Sequence, residues 1–136
     1  MARPGDRGYC RFVSVILALS LAAAGCIATD GDSIRCGDER IRLTGIDAPE
    51  LGRCPPRRRC APGNGQASRR ALQAAMARGK LRIVRLGKDR YGRTLAVVYA
   101  GTTNLACSQL AAGQAVYRRD WDDRAMVARD CPKLAR

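Results

Sequence analysis

The sequence predicts a small α+β domain, and three observations carry that expectation. Two short strand candidates, Ser33–Cys36 and residues 40–46, flank a tight turn at Gly37-Asp38. A helix candidate at residues 66–78 has Asn64 in place to cap its start and Gly79 to end it. Two further strand candidates, residues 81–86 and 94–99, are rich in Ile, Val and Leu. A chain of 136 residues has room for one domain plus a leader, and no internal repeat is visible.

The leader comes first. Arg3, Arg7 and Arg11 outweigh Asp6, and the apolar run at residues 12–24 covers 13 residues. A membrane span needs about 20, so no stable span is expected. Ala22-Ala23-Ala24 fits a small-residue cleavage site, which makes residues 1–24 a secretory signal and Gly25 the first mature residue. The protein is then expected to be secreted or periplasmic. The alternative is a surface lipoprotein anchored through Cys26, because Leu21-Ala-Ala-Ala-Gly-Cys26 resembles a permissive lipobox.

Asp30-Gly31-Asp32 follows as a turn, since Gly tolerates positive φ and Asp bonds its own local backbone. Asp32 then opens one strand. Asp47 closes the next, which Ala48-Pro49 halts because Pro49 has no N–H for a ladder. Two carboxylates side by side suit Ca²⁺, with backbone carbonyls and water completing the shell. Arg42 and Glu50 fall beside that position. Taken alone, such a turn followed by charged strands reads as a solvated hairpin. The second charged cluster, Lys88-Asp89-Arg90-Tyr91-Gly92-Arg93, lies between the later strand candidates and puts Arg93 where a rigid strand can aim it.

The stretch at residues 51–65 is a loop, because it combines proline, glycine and the run Arg57-Arg58-Arg59. It either guides a nucleic-acid backbone or is an ordinary basic surface loop, and both readings stay open. On the helix at 66–78, Leu72, Ala75 and Met76 share one face, which is simple core packing. Residues 104–112 read as a short helix ended by Gly113. The tail at 120–136 has mixed charge, and Cys131 suggests that it is pinned to the body of the domain at 25–119.

The formal net charge of +13 points to a polyanionic partner or an anionic membrane surface. The chain has no histidine, which excludes Ser-His-Asp triads, histidine zinc sites and histidine general bases. Carboxylates are left as proton acceptors near neutral pH.

The pieces DGDS, RIRLTGIDAPE, KDRYGRTLA and NLACSQLAAGQA, in that order, resemble the staphylococcal nuclease-like (thermonuclease) family over about residues 29–117. The resemblance implies a five-stranded Greek-key β-barrel of OB type with two or three helices, a fold that commonly binds nucleic acid across one face. It implies Ca²⁺ held by Asp32, Asp47 and the backbone carbonyl of Ala48. It puts Arg42 and Arg93 at the phosphate-binding arginines and Glu50 at the general base. Tyr91, and more loosely Tyr117, fall at positions that contact substrate. The activity implied is hydrolysis of single-stranded DNA or RNA by a monomer, breaking the 5′-oxygen–phosphorus bond to leave 3′-phosphate ends. Ser33 stands where threonine is commoner, and the family's barrel begins with a strand for which cleavage after Ala24 leaves few residues. The Cys-Pro-Pro-Arg-Arg-Arg-Cys element is an addition that bears on substrate access more than on chemistry. The competing readings are a non-catalytic nucleic-acid-binding OB module and the surface lipoprotein.

Seven cysteines in a small exported chain suggest disulfides. Cys10 leaves with the leader. A zinc site lacks both histidine and a Cys-x-x-Cys pair. Of the fifteen pairings open to six cysteines, simple geometry favours one. Cys54 and Cys60 flank a loop bent by Pro55-Pro56. Cys26 and Cys36 lie equidistant from the Gly31 turn, and Cys107 is left to tie the tail through Cys131.

Overall fold

The computed structural model describes residues 25–136; the expected leader at 1–24, with Cys10, lies outside the described residues. Three antiparallel strands come first: β1 (Cys26–Asp30), β2 (Ser33–Cys36) and β3 (Glu39–Leu43). The five residues of β1 answer the question of the first barrel strand, because pairing with β2 begins right at Cys26. The turn at Gly37-Asp38 sits where the sequence places it, with Cys36 opposite Glu39.

The single strand expected at 40–46 is broken in two. After β3 the chain turns at Thr44-Gly45, and Ile46–Asp47 form a separate β4. The cause is a segment much later in the chain. Gly45 N–H donates to the Trp121 carbonyl at 2.8 Å, and Arg118 N–H donates to the Gly45 carbonyl at 2.8 Å. β4 therefore pairs with β8 (Val116–Tyr117) and not within the main sheet.

Helix α1 (Gly65–Met76) starts as expected at Asn64, whose side-chain oxygen accepts from Ala67 N–H at 2.9 Å. Its face of Leu72, Ala75 and Met76 is buried. Strands β5 (Leu81–Lys88) and β6 (Thr94–Ala100) form a long hairpin, and β7 (Thr103–Asn104) pairs back on β6. Helix α2 (Leu105–Ala111) is capped by Asn104, and α3 (Met126–Asp130) lies near the C-terminus.

The main sheet runs β1-β2-β3-β6-β5, with β3 and β6 parallel. A three-stranded meander joined in parallel to the last strand of a later hairpin is the strand path of an OB barrel. The fold is α+β of OB type. Its core gathers Ile34, Ile41, Leu43 and Ile46 from the first strands, Leu72 from α1, Val98 from β6 and Leu105 from α2. Val127 of α3 is also fully buried, so the tail contributes to the core. Among the described residues no helix is long and apolar enough to cross a membrane.

All three expected disulfides are present, joining Cys26 to Cys36, Cys54 to Cys60 and Cys107 to Cys131. Cys26 and Cys36 are direct cross-strand partners.

Candidate active site

Asp32 stands in the two-residue turn between β1 and β2, and that turn is held from three sides. Gln109 of α2 is buried, and its side-chain amide donates to the Gly31 carbonyl at 2.7 Å and to the Ser68 carbonyl at 2.9 Å. A Cβ on Gly31 would come within 1.8 Å of Ser68 Oγ, so only glycine lets the turn lie this close to α1. The third hold is on Asp32 itself. Its Oδ1 accepts from Ser33 Oγ at 3.0 Å, and its Oδ2 accepts from Ala48 N–H at 2.8 Å. That last bond brings the Asp47-Ala48 segment against the turn, although β4 belongs to the smaller sheet.

Around this turn opens a cavity of about 710 Å³. Asp30, Asp32, Glu50, Arg42, Arg93 and Tyr91 all line it, together with Ala48 and Trp121. Five of the predicted site side chains therefore meet in one place, drawn from β3, from the β1–β2 and β5–β6 connections and from the stretch after β4.

Arg42 lies on β3, nearly buried. Its Nη1 donates to the Leu43 carbonyl at 2.9 Å and lies 3.4 Å from Asp32 Oδ2. Arg93 is positioned by Asp89, whose Oδ1 accepts from the Tyr91 and Arg93 N–H groups at 2.9 Å each. Asp89 Oδ2 takes Arg93 Nε at 2.7 Å. Burial opposes ionisation of Asp89, but the Arg93 and Tyr91 bonds outweigh it and hold the carboxyl below its usual range. Holding Arg93 by Nε leaves both terminal nitrogens for another partner. Tyr91 is 58% exposed at the rim.

Asp47 is almost fully buried and sits behind this cavity rather than on its wall. Arg118 Nη2 approaches its Oδ2 at 3.3 Å, and Arg58 Nη2 lies 4.0 Å from its Oδ1. Tyr117 also stands apart from the cavity. Its hydroxyl donates to Asp122 Oδ2 at 2.8 Å, and burial followed by that bond raises its pKa.

The donor chemistry suits a hard cation. Asp32 and Asp47 are buried carboxylates, and the Ala48 N–H bond to Asp32 draws the residue next to Asp47 against it. Asp30 adds to the negative field: burial raises its pKa, and the charges of Asp32 and Glu50 raise it further. A divalent ion relieves such crowding. Among the described residues no three of Asp, Glu, His and Cys close into a ligand cluster, so backbone oxygen and water would fill the remaining positions.

Four residues at this site carry weight that their positions in the sequence do not show. Arg58, in the disulfide-closed loop, pairs with Glu50 Oε1 at 3.0 Å. Arg118 neutralises Asp47. Trp121 packs near Arg42 and Arg118, with their guanidinium carbons 5.4 and 5.8 Å from its ring centre. Gly65 opens α1 against the site, where a Cβ would lie 2.2 Å from the Glu50 carbonyl oxygen. Charge and the lone tryptophan were the available signals, and neither says which acid an arginine will meet.

The domain is thus of OB type, with Asp32, Glu50, Arg42 and Arg93 around one cleft. Residues 40–134 match the family described as staphylococcal nuclease homologue, and the chain belongs to that family. It is 36% identical over 92 residues to a protein of Haemophilus influenzae named an uncharacterized endonuclease, an alignment covering 64% of this chain. That alignment takes in 47% of the relative, so the chain spans about half its length.

Proposed function

We propose that this protein is an exported, Ca²⁺-dependent nuclease that hydrolyses phosphodiester bonds of single-stranded DNA or RNA. One observation carries the reading: Asp32, Glu50, Arg42 and Arg93 converge on a single cavity in a chain of net charge +13. A module that only bound nucleic acid would need the arginines but gains nothing from carboxylates facing the phosphate.

Asp32, Asp47 and the Ala48 carbonyl would hold the cation, in keeping with a family whose members are typically metal-dependent. What the ion supplies when bound is polarisation of a phosphoryl oxygen and charge neutralisation. Glu50 takes a proton from the attacking water as its oxygen bonds to phosphorus. Arg42 and Arg93 face the phosphoryl oxygens, where charge builds in the transition state. The bond from phosphorus to the 5′-oxygen breaks, the leaving oxygen takes a proton from solvent, and the phosphate stays on the 3′ side. Tyr91 at the rim and Tyr117 near β4 are the further substrate contacts.

Three disulfides support an oxidising destination. Engagement of Cys26 with Cys36 favours ordinary signal cleavage over lipidation, and mass measurement of the N-terminal peptide tests it. The activity is tested by incubating the purified protein with single-stranded DNA and RNA, with calcium or with a chelator. The expected result is 3′-phosphate products in calcium alone. Equal cleavage in the chelator would remove the cation from the mechanism, and no cleavage in either would remove the nuclease reading.

A further inference from the structure

A second hollow, of about 490 Å³, adjoins the first, and the two share Arg58, Asp120 and Trp121. It lies between the disulfide-closed loop and the segment after β8. Arg58, Arg59, Arg118 and Arg119 line it, with Asp120 as the acidic residue in the wall. Arg58 and Arg118 are turned toward Glu50 and Asp47, but Arg59 and Arg119 are exposed and make no ion pair among the described residues. Arg118 Nε is buried with no hydrogen-bond partner among them. Such a concentration of guanidinium groups, with donors unspent, suits an extended polyanion.

The loop is shaped to present these arginines. Arg58 N–H donates to the Pro55 carbonyl at 3.3 Å, which closes a turn with Pro56 and Arg57 at its centre. Arg57 takes φ +66°, a left-handed conformation that favours glycine, and the bond between Cys54 and Cys60 spans the turn.

We propose that this second hollow is a phosphate subsite for the same strand, holding a nucleotide beyond the one being cleaved through Arg59 and Arg119. The inference rests on the nuclease reading of the first cavity. A strand crossing from one hollow to the other passes Trp121, which is 45% exposed and is the one tryptophan in the chain. Its fluorescence therefore reports occupancy directly.

The test is a fluorescence titration of the purified protein, in chelator so that nothing is cut, with oligothymidylates of two and of eight nucleotides at several salt concentrations. Arg59→Gln/Arg119→Gln is expected to weaken binding of the longer strand by about tenfold at low salt, leaving the dinucleotide nearly unaffected. The salt slope should shrink by about 1.4, at about 0.7 for each phosphate that an arginine no longer neutralises. Cys54→Ser/Cys60→Ser, which frees the loop, should lose the same advantage for length. Equal affinity and slope in parent and arginine variant would overturn the subsite alone. Failure of the parent to bind the octamer would overturn the subsite and the nuclease reading together. Loss of binding to anionic lipid vesicles in the variant, with octamer binding intact, would assign the surface to a membrane instead.

Discussion

The Glu50 carboxylate lines the cavity and pairs through Oε1 with the Arg58 guanidinium at 3.0 Å. Glu50→Gln keeps the size and most of the polarity of this side chain but removes the proton acceptor. Turnover should fall by about 10²–10⁴, while oligonucleotide binding in chelator stays close to that of the parent. A folded variant with near-parental turnover would remove Glu50 from the chemistry. Asp30 allows a test by pH. Its pKa is raised above 3.8, first by burial and then by Asp32 and Glu50, so the folded state holds the proton more readily than the unfolded chain. The sign follows: this preference stabilises the fold below pH 3.8 and is lost as pH rises through the raised pKa. Without calcium, Asp30→Asn should therefore raise the melting temperature at pH 7, and the gain should vanish below pH 3.8. A gain of equal size at both pH values would contradict a charge origin.

Among elements, the β1–β2 turn depends on helices that are distant in sequence. Gln109 lies 78 residues from Gly31, and its one buried amide serves both the turn and α1. Gln109→Leu removes the donor and leaves the Gly31 and Ser68 carbonyls buried without it. The cost should be about 1–3 kcal/mol in denaturant unfolding. The variant should also need more calcium for half-maximal activity, because Asp32 rides on that turn. Loss of stability with an unchanged calcium requirement would mean that Gln109 holds the fold but not the site. At the tail, Asp122 Oδ1 accepts from Val127 N–H at 2.9 Å and its Oδ2 from Ala128 N–H at 3.0 Å. This carboxylate thus starts α3 and also receives Tyr117.

On the scale of the molecule, three disulfides close loops with sequence separations of 6, 10 and 24 residues. In the chain-entropy view the longest loop stabilises most, by about 3.5 kcal/mol against about 2 for the shortest. Cys107→Ala/Cys131→Ala should therefore lower stability far more than Cys54→Ala/Cys60→Ala. It should also loosen Trp121, which lies in the segment that Cys131 anchors. Chemical denaturation followed by the Trp121 emission reads both effects. Equal losses in the two double variants would show that native-state packing, not loop length, sets the contribution of each bond.

What the sequence determined by itself was local or periodic. Asn64 announced its helix because a cap and the turn it starts are neighbours in the chain. Cys26 and Cys36 were legible as partners because a tight turn at Gly31 makes them opposite one another, and Cys54 with Cys60 because proline bends a short loop. The order of the charged motifs was enough to gather Asp32, Arg42, Glu50 and Arg93 into one expected site, and the cavity brings them together. Tertiary structure alone decided the break at Gly45, since the hydrogen bonds that turn the chain there come from Arg118 and Trp121. It also decided which arginine meets which acid, Arg58 for Glu50 and Arg118 for Asp47. An arginine has the same local pattern whether it ends in solvent or on a buried carboxylate. For Arg118 and Asp47 the choice is made by packing between segments 71 residues apart, and no spacing within either segment encodes it.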